Sequence, residues 1–159
     1  MNLFVLNLGL AVLWASFDGS FTVASLAVGF VIGFGALWMI QPLLGGPSPY
    51  FRRAYTWSRL FVMFHYELLV SSIAVIWDVI TPTQLSRPAI IEMPLDVKSD
   101  VGILLVTNLI SLTPGTLSLD ISDDRKTLYV HAMFADNPEE IVRTLKDGME
   151  RWVIEAIEK

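Results

Sequence analysis

A membrane-embedded α-helical part joined to a small α+β domain is the fold class this sequence predicts. Three observations carry it. Of the 159 residues, 53% are hydrophobic and 17% charged, whereas ordinary globular domains carry about 25% charged residues. The charge is uneven: residues 1–89 have a net charge of +1 and residues 90–159 one of −6. The hydrophobic pattern also changes, from long apolar runs in the first half to strict alternation and an amphipathic helix in the second.

The apolar half reads as three helices, the first of them short. Residues 3–17 (LFVLNLGLAVLWASF) are interrupted only by Asn7 and Ser16. At 1.5 Å per residue such a helix reaches about 22 Å, against roughly 30 Å of hydrocarbon. Asp18-Gly19-Ser20 is a turn signal, and residues 21–40 form a second stretch without a charge. Within it Gly29 and Gly33 make a small-xxx-small face, which lets two helix backbones approach closely. The first helix is the expected neighbour. Pro42 and the run Gly45-Gly46-Pro47-Ser48-Pro49 predict a loop, followed by Arg52-Arg53. A third helix is expected over residues 56–80, ended by Thr81-Pro82 because proline cannot continue the hydrogen-bond pattern. Residues 1–82 thus form the transmembrane region, and 83–89 a linker. The first stretch lacks a Lys/Arg-rich leader, so it is read as retained rather than cleaved.

Residues 90–159 predict a domain of order β-α-β-β-α. IIEMPL (90–95) is strand-like, with Pro94 at its end. Ser99 or Asp100 can cap a helix from Val101, which Pro114-Gly115 stops. Thr116–Ser122 alternates with Leu117, Leu119 and Ile121 on its apolar side, and Thr127–Met133 with Leu128, Val130 and Ala132. The polar turn between them makes a hairpin. Asn137-Pro138-Glu139-Glu140 starts the last helix with a cap, a first-position proline and acids in the first turn. Its apolar stripe runs from Ile141 through Leu145, Met149 and Val153 to Ala156.

Several function classes are excluded or disfavoured. With no cysteine there are no disulfides or thiolate sites. The acidic balance opposes nucleic-acid binding. His131 has no histidine cluster around it, and Asp120, Asp123, Asp124 and Asp136 lack the spacing of a calcium loop. No metal, cofactor or catalytic constellation is expected, and the chain is not read as an enzyme. One ionisable group stands out. Glu67 lies about halfway along the third helix, where a carboxylate is costly unless paired, protonated or beside water. His65 and Arg59 share that helix, and the three form a candidate set for a proton or cation relay or an intersubunit contact.

The run NLISLTPGTLSLDISDDRKTLYVHAM, from Asn108 to Met133, resembles the signature of the E subunit (MrpE/MnhE) of Mrp/Mnh-type multisubunit Na+/H+ (monovalent cation/proton) antiporters. Asn108, Thr113, Pro114, Gly115 and Thr116 form its turn. The order of apolar helices and the acidic C-terminal domain resemble the family as well. The resemblance implies an accessory, assembly-type subunit in a bacterial plasma (inner) membrane complex, with other antiporter subunits and lipid as partners. Larger subunits would carry the main ion path. A free-standing, membrane-anchored domain that binds a cytosolic ligand or protein is the alternative.

Topology poses a conflict. Arg52-Arg53 favour a cytoplasmic loop, and a full third crossing would then put the acidic domain outside. The resemblance implies a cytoplasmic C-terminal domain. That placement is the one expected, with the N-terminus outside and the chain multi-pass.

Overall fold

The computed structural model describes residues 2–44, 46, 48–82 and 86–158. Two compact units emerge, Met1–Tyr55 and Thr56–Lys159. Gly45 and Pro47 of the expected loop, and residues 83–85 of the expected linker, lie outside the described residues.

The first unit is a helix pair followed by the start of a third helix. Helix α1 (Leu3–Asp18) is capped by Asn2, whose side chain accepts from the Phe4 amide, and ends at Gly19, with φ of 69°. Helix α2 (Val23–Ile40) is capped by Thr22, which accepts from the Ser25 amide at 3.1 Å. The two helices bury matching rows spaced four residues apart: Leu3, Asn7, Ala11 and Ala15 on α1, and Ser25, Gly29, Gly33 and Leu37 on α2. Gly29 faces Ala11 and Trp14, while Gly33 faces Asn7 and Leu10, so the helices run antiparallel. A Cβ added at Gly29 would lie 2.6 Å from Trp14 Cβ and 2.9 Å from the Ala11 carbonyl oxygen. Only glycine permits that approach.

Helix α3 (Pro49–Ile80) is 32 residues long. It starts earlier than the sequence suggests, because Pro49 acts as a helix start rather than as loop punctuation. Proline lacks an N–H that the first turn would leave unsatisfied anyway, and Ser48 Oγ accepts from the Tyr50 amide at 3.3 Å. Two helical segments, Val23–Leu43 and Pro49–Ile80, are long and apolar enough to cross a membrane, whereas α1 is shorter.

The second unit takes in α3 from Thr56 onward and a three-stranded antiparallel sheet of order β1-β3-β2. Strand β1 (Ala89–Pro94) leads to helix α4 (Asp100–Leu112), β2 (Thr116–Ile121) and β3 (Thr127–Ala132). Helix α5 (Pro138–Leu145) continues through a π-helical turn (Lys146–Glu150) into α6 (Arg151–Ile157). One sheet face is covered: Ile91, Met93, Leu128, Val130 and Ala132 pack against Val106 and Ile110 of α4 and against Met149 and Val153. Leu60 of α3 joins the same core.

Strand β2 departs from its expected orientation. Leu117 and Leu119 are 48% and 47% exposed, and Ser118 turns toward α4. Ser118 Oγ donates to the Thr107 carbonyl at 3.0 Å, and its amide donates to Ser111 Oγ at 3.1 Å. A bulge between Ser118 and Asp120 then resets the alternation, and Ile121 comes to lie opposite Leu128. Hydrogen bonding to the preceding helix, rather than burial of leucine, sets the face of this strand.

Candidate functional site

The Thr113–Thr116 turn is held by its two hydroxyls. Thr113 Oγ1 donates to the Leu109 carbonyl at 2.8 Å, and Thr116 Oγ1 to the Ile110 carbonyl at 2.7 Å. Thr113 Oγ1 thus supplies a donor to a carbonyl in the last turn of α4, and Thr116 Oγ1 adds a second donor to the Ile110 carbonyl, which also accepts from the Thr113 amide at 3.2 Å. Pro114 prevents the helix from continuing, and Gly115, at φ of 92°, reverses the chain. The Gly115 carbonyl accepts from the Met133 amide at 2.7 Å, which fixes the turn to the end of β3.

This turn forms one wall of a cleft of about 450 Å³. Glu67, Ser71 and Ala74 of α3 form another wall, and Glu140 of α5 and Trp152 of α6 line the far side. Asp136 also borders it, paired with Arg87 at 3.2 Å. Glu140 receives a hydrogen bond from the Asn137 side chain at 3.4 Å. Glu67 has no hydrogen-bond or ion-pair partner among the described residues. Among the described residues, three carboxylates and no lysine, arginine or histidine line the cleft, so it favours a cationic or hydrogen-donating group. Among the described residues no group of three His, Cys, Asp or Glu side chains could hold a metal ion.

The family model described as "Na+/H+ ion antiporter subunit" (MNHE) matches residues 7–156. The chain belongs to this family of antiporter E subunits. The E subunit of the Na+/H+ antiporter of Alkalihalophilus pseudofirmus is 38% identical over 152 residues, 96% of each chain. The E1 subunit of the Staphylococcus haemolyticus antiporter is also 38% identical over 152 residues, 96% of this chain and 95% of that one. Among solved structures, a chain of the Mrp complex from Dietzia sp. DQ12-45-1b has a TM-score of 0.51 at 24% identity, covering 64% of this chain and 96% of its own. A chain of the membrane-bound sulfane sulfur reductase, an archaeal respiratory membrane complex, gives 0.54 at 18% identity, covering 98% and 97%. At these identities the structural likenesses concern the fold alone.

In this member of the family, Glu67 and the Thr113–Thr116 turn meet in one cleft, but Arg59 and His65 stand apart from them. Arg59 Nη1 pairs with Glu155 Oε2 at 2.6 Å. The eight residues from Arg59 to Glu67 exceed two helical turns by about 80°, which separates their faces. His65 is exposed, its Nδ1 2.8 Å from the Phe61 carbonyl and its ring 4.1 Å from that of Phe61. Asn108 is exposed on α4, with Nδ2 donating to the Leu104 carbonyl at 2.6 Å.

Sequence reasoning missed two anchoring carboxylates. Glu150 is only 1% exposed; its Oε1 accepts from the Asp96 and Val97 amides at 2.6 and 3.1 Å. Lys146 Nζ lies 3.6 Å from Glu150 Oε2 and 2.8 Å from Asp96 Oδ2. The available signal was an acid beside the apolar stripe, four residues after a lysine. Glu158 Oε1 accepts from the Lys98 and Ser99 amides at 2.9 and 2.8 Å. These bonds, the Ser99 amide foremost, hold its carboxyl below the usual range, while slight burial opposes them.

Proposed function

We propose that this chain is an accessory and assembly component of a multisubunit monovalent cation/proton antiporter in the bacterial plasma membrane. It contributes to complex stability, and so to ion and pH homeostasis, while larger subunits carry the main ion path. Its partners are the other antiporter subunits and membrane lipid, and its C-terminal domain lies in the cytoplasm. Family membership over nearly the whole chain is the observation that carries the reading.

Glu67 fits this role as a contact point. A carboxylate with no partner among the described residues, on the wall of an acidic cleft, is suited to receive a basic or hydrogen-donating group from a neighbouring subunit. Of the other two residues of the expected relay, Arg59 is held by Glu155 and His65 is exposed against Phe61, so neither joins Glu67 in the cleft.

Glu67→Gln, expressed with the remaining subunits, separates the two uses. The proposal expects fewer intact complexes, with cation/proton exchange per assembled complex unchanged. Full assembly with exchange abolished would make Glu67 part of the ion path instead. Purification in mild detergent addresses the free-standing alternative, because an assembly component co-purifies with several larger apolar chains.

A further inference from the structure

We propose that the Thr56–Ile80 part of α3 lies in the plane of the membrane surface instead of crossing the bilayer, with its outer stripe in lipid and its inner stripe under the α+β domain.

The helix has two faces of different chemistry. Val62, Tyr66, Leu69, Ile73, Ile76 and Ile80 recur at helical spacing, and every one is more than half exposed. On the opposite side Leu60, Glu67, Ser71 and Asp78 recur with the same spacing. That inner side is attached to the domain along its length. Arg59 pairs with Glu155 at 2.6 Å, and Leu60 enters the domain core. Val75 lies beside Gly115, and Asp78 Oδ1 accepts from the Ser86 amide at 3.0 Å. From Arg59 to Asp78 the helix rises about 28 Å, nearly the roughly 30 Å of a hydrocarbon core. A crossing helix would therefore drag Asp136, Glu140 and Arg87, beside its middle, to membrane depth, where each charge is costly and irregular backbone is excluded from lipid.

An in-plane helix avoids this cost. Lipid is the occupant of the outer stripe because the helix follows closely on a segment long and apolar enough to cross the membrane. Its composition suits the interface too: Arg52, Arg53 and Arg59 near one end, with Tyr55, Trp57, Tyr66 and Trp77 along it. The topological conflict in the sequence then disappears, since the arginines and the domain share one side of the membrane. Calling that side cytoplasmic rests on the function proposed above, and the N-terminus moves to the same side if α1 and α2 both cross.

The absence of cysteine makes the test direct. Ser58→Cys, Thr81→Cys and Asp123→Cys, made singly in the assembled complex in cells, are probed with a membrane-impermeant maleimide before and after permeabilisation. An in-plane helix labels all three from one compartment. Labelling of Ser58→Cys from the opposite side to Thr81→Cys overturns the proposal. If all three label before permeabilisation, the helix is in plane and the cytoplasmic assignment fails instead. A photoreactive side chain at Ile73 tests the occupant: adducts with phospholipid are expected, and adducts with another protein chain overturn the lipid assignment.

Discussion

Asn7 Nδ2 donates to Tyr50 Oη at 2.9 Å, joining the second turn of α1 to the first turn of α3. Asn7 is fully buried, and its Oδ1 lies against Gly33 with no hydrogen-bond partner among the described residues. A polar side chain in an apolar helix pair is tolerated because one end is bonded and the other meets a glycine, whose Cα–H is a weak donor. The helix pair, its glycines and the start of α3 are therefore joined in one arrangement.

Glycine substitutions should divide by position. Alanine at Gly29 brings a methyl against the Ala11 backbone, which cannot yield as a side-chain tip can. At Gly33 it meets Asn7 and Leu10. Overpacking of this kind costs about 1–3 kcal/mol. Gly9→Ala and Gly35→Ala, where an added Cβ meets nothing within 4 Å, should be neutral or slightly stabilising. Thermal midpoints of the four purified variants check the ordering, and equal losses at all four positions would remove the close-packing argument.

Glu150 should be less replaceable than any exposed acid. Glu150→Ala strands the Asp96 and Val97 amides and leaves Lys146 with fewer partners. Two unsatisfied amides at about 1–3 kcal/mol each, partly relieved by water at Asp96, predict a loss of about 2–4 kcal/mol. Glu150→Gln keeps an acceptor for the amides and should recover part of it. Denaturant midpoints of the two variants measure the difference.

The element order was legible because each element has its own local signal. Asn137 and Pro138 mark a helix start, Pro114-Gly115 a stop, and the change of hydrophobic period marks the domain. What escaped depends on long-range hydrogen bonds. Glu150 is bonded to a loop 53 residues earlier in the chain, and the Asn7 side-chain nitrogen to a tyrosine 43 residues later. Half of the cleft could be foreseen, since Glu67 and the threonine-proline-glycine turn stood out separately. Their meeting could not, because it depends on how α3 is placed against the sheet. The start of α3 was misplaced because a proline that ends one pattern can equally begin the next.

Strand β2 gives a test of its reversed face. Leu117→Ser on the open side should change stability by less than about 0.5 kcal/mol, as for an exposed surface site. Leu128→Ser, at a fully buried position of the neighbouring strand, should cost several times more, through a cavity and a buried hydroxyl. Chemical denaturation of both variants decides it. A large loss for Leu117→Ser would return that leucine to the core.

Acid should weaken the start of α4 through Glu158. Its ordinary carboxyl value is 4.5, and in the folded chain it is lowered, chiefly by the bond from the Ser99 amide. The folded state then binds fewer protons than the unfolded one between the two values, so stability rises with pH across that window. The contribution is complete above about pH 4.5 and is lost as pH falls through the folded value. Glu158→Gln removes the charge at every pH, so the variant should be less stable than the parent at neutral pH. The two should converge as the parent is acidified below about 4.5. Denaturant midpoints taken from pH 7 to pH 3 show this directly; a gap that persists at the acid end would assign the effect to side-chain packing and not to charge.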